Sequence, residues 1–381
     1  MSGQQQRSSR SVSKDTSAKS AASSARSAGG ADSADQSNSL AQDQLASDQA
    51  SERSTRAADG DKGRVAGSFE LLGQRFATLQ AVHDWVEAQK QDPTSTVPHE
   101  PVLKVSLTPD SIIHERQQTL WTTYSPDQRL VIEGNGAVVS GLKGGRPTPG
   151  FFLSYRPNVG AGTTEAAPAA ANFTMSGVTV RGYESGGVEI SPQTQSGSDH
   201  KWDGGVSAFL SGAVIDHNRF EDLGSLHSKP GAADWSKQRY GVGGVLARGL
   251  QGSQITDNVF DGLENGDVKG TSTGPRLIHG VYLRDHSSNN TVSGNRFKDI
   301  SGDSVRVSNA SNDNQITDNR SRNAGLRTLV SEFWNPTAGE ADSHGNRVTD
   351  NNIGDVYGPS QKKAKRFLET KSTAKRPALA D

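Results

Sequence analysis

Cysteine is absent from all 381 residues, which excludes disulfide staples, thiolate metal sites and a cysteine nucleophile. Aromatic residues make up only 6% of the chain and hydrophobic residues 31%. That is too little for one compact core drawing on every residue, but it suits a folded middle between polar ends. No apolar run approaches the roughly 20 residues that a membrane helix requires, so no membrane span is expected. The opening MSGQQQRSSRSVSKD lacks the apolar stretch of a Sec signal peptide. Charge of either sign is not in excess: 41 Lys and Arg stand against 42 Asp and Glu, a net charge of −1, and a nucleic-acid partner is not expected. Also missing are a Walker loop, a Gly-x-Ser-x-Gly elbow and a His-Glu-x-x-His helix.

Glycine is plentiful, at 42 residues, and with asparagine it crowds the middle of the chain, as tight turns require. Composition divides the chain in three. Residues 1–65 form a Ser/Ala/Gln-rich arm with almost no large apolar side chain, expected to be disordered. Residues 66–357 hold the fold, and 358–381 form a basic, mobile tail. Order is expected to begin near Phe69. Leu79, Val82, Trp85 and Val86 share one face of a short amphipathic helix. Strands are expected at Val102–Leu107 and on both sides of the glycine turn after Glu133.

From residue 172 the sequence repeats. An Asn-turn recurs at Asn218, Asn258, Asn295, Asn319 and Asn351, each with a β-branched residue three positions earlier: Ile215, Ile255, Val292, Ile316 and Val348. A second short strand accompanies it, as in Gly244–Val245–Leu246–Ala247–Arg248 and Gly280–Val281–Tyr282–Leu283–Arg284. Where the repeat is tightest, from Asn295 to Asn319, its period is about 24 residues, one coil of a β-solenoid. A propeller blade needs about 40 residues and four strands. Strands this short bury a face only when stacked coil on coil, with the asparagines forming an internal amide ladder. The fold class expected is all-β: a single-stranded right-handed parallel β-helix with an N-terminal capping helix and disordered termini. Two stretches, Ser191–Gly204 and His227–Gly241, interrupt the repeat as insertions.

At these residues the chain resembles the right-handed parallel β-helix superfamily typified by pectate lyases, over roughly residues 100–357. His279–Arg284, with Ser301–Arg306 one coil later, looks like secreted bacterial proteins of that fold. Val214–Ile215–Asp216–His217 resembles the aspartate–histidine strand motif of pectate lyases but lacks its Trp, and Asp–His–Asn also satisfies the repeat's own turn. The superfamily hosts lyases, hydrolases, epimerases, esterases and non-catalytic adhesins, so the resemblance implies a fold more than an activity.

Strand alternation with Val281, Leu283, Val305 and Val307 inside sends Tyr282, Arg284 and Arg306 outward, with Arg248 and Glu189 in the same stripe. Arginines clamp carboxylates or sulfates, aromatic faces carry sugar rings, and proton abstraction beside a carboxylate needs a base with a cation close by. An acidic polysaccharide is therefore the expected partner, and lyase (β-elimination) or epimerase chemistry the leading activity. Arg284, Arg306, Tyr282 and His279 are the catalytic candidates. Glu189, Lys201, Trp202, Arg239, Tyr240, Arg248, Glu332 and Trp334 are the substrate-binding candidates. The alternative is a non-catalytic glycan-binding or attachment module, as in adhesins and tail spikes. His279 and Asp303 align one coil apart, as a structural or an acid–base pair. Asp257, Asp318 and Asp350 precede ladder asparagines, where turn chemistry accounts for them; a stacked row of them is the one place for calcium, and no other cofactor is expected. A Ser-rich arm without a Sec signal suits a type III-like export route and an extracellular location.

Overall fold

The chain divides into two units, Met1–Leu45 and Ala46–Asp381. The computed structural model describes residues 61, 63–170, 172–193, 208–224, 242–265, 278–325, 328–334, 336 and 339–357, and the backbone of the strand Lys365–Lys371, all in the second unit. Sharp corners set the architecture. The residue before each ladder asparagine has left-handed backbone: His217, Asp257, Gly294, Asp318 and Asp350, with φ between 53° and 68°. Asp, Gly and His tolerate that conformation, and it ends each of these strands after three residues.

Between corners the chain visits three sheets in turn. In one coil, Gln254–Thr256 lies in the first sheet, Val259–Leu263 in the second and His279–Arg284 in the third. The next coil then begins with Thr291–Ser293, parallel to Gln254–Thr256. Eight strands stack in this way in the second sheet and eight in the third. The described part is thus all-β with parallel sheets, apart from one α-helix and a short 3-10 turn. Among the described residues no helix is long and apolar enough to cross a membrane.

The asparagines hold the coils in register. Asn258 Oδ1 accepts both the backbone N–H of Asn218 (2.9 Å) and its Nδ2 (3.1 Å). Asn258 Nδ2 donates back to Ile215 O (2.9 Å) and onward to Asn295 Oδ1 (3.1 Å). Every donor and both acceptor sites of a buried amide are used, so its desolvation is offset in full. The ladder continues through Asn319 to Asn351. Its steps are 40, 37, 24 and 32 residues long. The 24-residue period is therefore the bare coil, and longer steps add residues at corners while the stacking stays constant. Of the two insertions the sequence marks, only 191–193 lies among the described residues.

A second ladder, not expected from the sequence, runs through Asn290, Asn314 and Asn346, five residues before the first ladder's asparagines. Serines at the next corner repeat the device: the N–H of Ser287 donates to Ser311 Oγ, and that of Ser311 to Ser343 Oγ.

Inside, Phe220, Phe260 and Phe297 stack at centroid separations of 5.1 and 4.9 Å. Each ring fills the space where a Cβ would stand on the third-sheet strand one coil earlier, at Gly187, Gly244 and Gly280. One coil further, both partners change together: Ser304 replaces the glycine, Ser321 the phenylalanine, and their buried hydroxyls bond at 2.8 Å.

The helix Leu79–Gln89 closes the first coil, with Leu79, Val82, His83 and Val86 buried and His83 edge-on to Trp121. Trp85, expected on the same face, is only partly buried and meets Phe76. The hairpin Phe69–Leu71 and Gln74–Phe76 covers the first-sheet edge; helix and hairpin thus shield an edge that would otherwise template aggregation. Glu115 seats the helix. Its buried carboxylate accepts the N–H of Leu79 (3.0 Å) and the hydroxyl of Thr119 (2.8 Å). Burial outweighs these bonds and raises its pKa to about 7.

Two further contacts extend the stack. Asp61 pairs with Arg181, and Arg64 Nη1 donates to Gly136 O at 2.9 Å, so contact with the stack begins before Phe69. At the other end, Lys365–Lys371, within the tail expected to be mobile, pairs parallel to Thr328–Trp334, because an open strand edge offers it unpaired backbone groups.

Two predictions follow from the packing. Gly244→Ala brings a Cβ to 2.6 Å from Phe260, and overpacking of this kind costs ~1–3 kcal/mol; urea unfolding should show that loss, with part of it recovered in Gly244→Ala/Phe260→Leu. The unfolded chain releases the Glu115 proton near the ordinary value of 4.5, the folded chain near 7, so this group's contribution to stability is present at low pH and is lost as pH rises from about 4.5 to about 7. Glu115→Gln should therefore match the wild type near pH 4.5 and be the more stable protein at pH 8, by about 1.4 kcal/mol per pKa unit of the shift, in thermal melts across that range.

Candidate functional site

The third sheet carries the stripe that the sequence singles out. Register aligns Ser154, Glu189, Leu246, Tyr282, Arg306 and Ser331 in one row. Two residues further along their strands lie Arg248, Arg284, Ser308 and Phe333. Tyr282 stands between two guanidinium groups: that of Arg284 is 5.7 Å from its ring centroid and that of Arg306 is 5.8 Å away. Arg306 also lies 4.8 Å from the ring of Phe333. Ser308 Oγ donates to the Tyr282 hydroxyl at 3.2 Å.

The expectation that this stripe faces open solvent needs correction. Arg284 and Glu189 are each only 5% exposed. Their charges are met within the protein. Asp285 Oδ2 lies 2.8 Å from Arg284 Nε and 3.7 Å from Arg248 Nε, and Glu340 approaches Arg284 at 3.8 Å. The backbone explains the contact: Asp285 is left-handed (φ 52°), which ends the strand and turns its carboxylate back over the arginines. Asn309 Nδ2 donates to the other carboxylate oxygen at 3.0 Å.

Charge coupling in this cluster is strong. Burial works against the Asp285 carboxylate, yet Arg284 and Arg248 outweigh it and hold its pKa below the ordinary value. Burial, then repulsion by Arg284, lowers the pKa of Arg248. For Arg284 burial is outweighed by Tyr282 and the nearer approach of Asp285, and its pKa is raised. At the far end of the row Glu189 accepts from Arg156 (2.7 Å) and Ser154 (2.8 Å).

His279 and Asp303 are neighbours, as their alignment implies. His279 Nδ1 accepts the backbone N–H of Asp303 at 2.9 Å, so that nitrogen carries no proton toward the carboxylate, 3.6 Å away. The ring meets Tyr282 edge-on at 5.2 Å, and both His279 and Asp303 are buried. Asp303 also pairs with Arg306 at 3.4 Å and accepts from Ser331 Oγ. Glu332 is in register with Val307, on the core side of its strand, where its carboxylate accepts the N–H of Ser343; Trp334 is buried. Neither supplies an open groove end. Lys201, Trp202, Arg239 and Tyr240 lie outside the described residues.

Sequence reasoning missed Asp285, Arg156, Glu340 and Phe333. For Asp285 the signal was present, an acid directly following an outward arginine. For Arg156 and Glu340 there was none, because they come from corners without a repeat.

Away from this sheet, Asp216, His217 and Asp257 bring one ligand atom each within 4.8 Å of one another. Asp216 is already engaged by His217 Nδ1 (2.7 Å) and by the hydroxyl of Thr256 (2.7 Å), and the contact with Asp216 raises the pKa of His217. Two carboxylates and an imidazole, all at least partly exposed, do not make the oxygen cage calcium prefers. Asp318 and Asp350 join no such group among the described residues.

No family model and no curated protein matches the chain. Among solved structures, the chain is similar to PfbA, a surface adhesin of Streptococcus pneumoniae, at 10% identity and a TM-score of 0.17, over 77% of this chain and 96% of that one. A likeness so slight carries no argument about fold or function.

The buried cluster makes a sharp prediction. Asp285→Asn leaves the buried Arg284 and the part-buried Arg248 without their shared anion and should cost ~3–5 kcal/mol. Arg219→Gln, at a half-exposed pair on the second sheet, should cost less than ~1 kcal/mol. Denaturant unfolding of the two variants measures the contrast.

Proposed function

We propose that the stacked coils form a single right-handed parallel β-helix, and that its third-sheet face binds an acidic polysaccharide without cleaving it. The handedness follows from the rule that parallel strands joined by crossovers almost always connect in the right-handed sense. The observation that carries the binding reading is Tyr282, partly exposed beside Arg306 and with Phe333 beyond: aromatic surface for a sugar ring and a cation at its edge for an acid group. A lyase or epimerase needs, beside its base, a cation free to take up the charge that develops on the substrate carboxylate. Here Arg284 is paired with Asp285, Arg248 lies beside the same carboxylate, and Arg306 is paired with Asp303, which favours attachment over chemistry. The lyase reading retains one support, the closeness of His279, Tyr282 and Arg306. In this proposal the Ser-rich arm, residues 1–65, directs export, and the protein works outside the cell.

The test is titration with polygalacturonate, alginate and glycosaminoglycans, with neutral glucan as control. Tyr282→Ala and Arg306→Gln should each weaken binding to an acidic polymer at least tenfold in protein that is still folded at the titration temperature, as circular dichroism checks. Absence of binding to every acidic polymer overturns the proposal. An absorbance rise from an unsaturated uronate, with or without calcium, replaces it by the lyase reading.

A further inference from the structure

The second sheet, on another face of the stack, carries charge of a different kind. Its outward positions in the strands Arg296–Ile300 and Arg320–Ala324 are Arg296, Lys298, Arg320 and Arg322. Register sets Arg296 beside Arg320 and Lys298 beside Arg322. All four are exposed. Sheet geometry spaces such a grid by about 4.8 Å across strands and ~7 Å along them. Like charges placed directly opposite one another oppose folding.

The same positions in earlier coils are neutralised within the protein. Arg219 is paired with Glu221 and Asp261, and Arg181 with Asp61 and Glu221. In the grid only Lys298 has such partners, Asp261 at 3.4 Å and Asp299 at 3.3 Å. Arg296, Arg320 and Arg322 form no ion pair with any described residue. The fold thus gathers three unneutralised guanidinium groups on one flat surface.

We propose that this grid is a second binding surface, for a linear polysaccharide bearing carboxylates or sulfates. Guanidinium groups take such anions in bidentate pairs. Across the asparagine corner, the first sheet ends in an outward row of hydroxyls, including Ser293 and Thr317, which suits sugar hydroxyls. No outward residue of the second-sheet strands from Arg219 to Ile353 is aromatic, so the surface lacks the stacking platforms on which single-stranded nucleic acids depend. This inference shares only the class of polymer with the Tyr282 reading; it uses a different face and different residues.

The experiment is binding of the full chain to polygalacturonate (carboxylated) and heparin (sulfated), with a single-stranded oligonucleotide as the competing class, over a range of salt. Arg296→Gln/Arg320→Gln/Arg322→Gln should bind at least tenfold more weakly to one of the two glycans. Its plot of log affinity against log salt should flatten by roughly one unit per charge removed, while the melting temperature holds. If the triple variant binds both glycans like the wild type, or if the oligonucleotide binds more tightly than either, the proposal is overturned. Loss of binding in Arg306→Gln but not in the triple variant leaves the Tyr282 site standing and sinks this one; the reverse sinks the Tyr282 site alone. Should the triple variant lose stability, Arg296→Lys/Arg320→Lys/Arg322→Lys keeps the charge, and it must retain the salt dependence for the proposal to survive.

Discussion

A buried side-chain amide that bonds the coil before and the coil after is the constraint on which the rest of the structure depends. Each interior ladder asparagine, Asn258, Asn295 and Asn319, spends its full hydrogen-bonding capacity along the stacking direction, so a coil is in register or leaves several buried polar groups unsatisfied. With the corners fixed in this way, the strands between them need only be two to seven residues long. The phenylalanine column, the valines of the third sheet and the polar rows outside all inherit their alignment from the corners.

The same constraint separates what holds the fold from what is free to vary. Successive coils differ in length by many residues, yet the ladder geometry hardly changes from step to step. Additional chain is taken up at corners, where it does not disturb the pairing. Outward positions are freer still. On the third sheet they have become a largely buried, internally neutralised network with Tyr282, Arg306 and Phe333 at its partly exposed margin; on the second sheet they pass from paired charges in earlier coils to a cationic grid in later ones, of which Lys298 alone is paired.

The parts of this organisation legible in the sequence are those that repeat. Asn218, Asn258, Asn295, Asn319 and Asn351 announced the ladder because a turn residue and a β-branched residue recur together. The alignment of Arg248 with Arg284, of Tyr282 with Arg306 and of His279 with Asp303 followed from that register. The second ladder was equally periodic, but Asn290, Asn314 and Asn346 sit among other polar residues and have no glycine or aromatic to mark them. Burial of Arg284 was not legible. It depends on the left-handed backbone at Asp285 and on Glu340, which approaches from a corner that does not repeat. Glu332 misled for a related reason: a carboxylate on the core side of a strand is affordable only because the Ser343 amide meets it there.

The exchange of glycine and phenylalanine for two serines, at Ser304 and Ser321, bears on how such a molecule drifts over evolutionary time. Placing serine opposite an intact phenylalanine forces atoms into occupied space, and losing the ring opposite glycine leaves a void with a buried hydroxyl unmet, so either change alone is costly. The two positions are therefore tied to each other across the stack: a coil can exchange one pair for the other cheaply only when both members change, because each serine supplies the other with its partner.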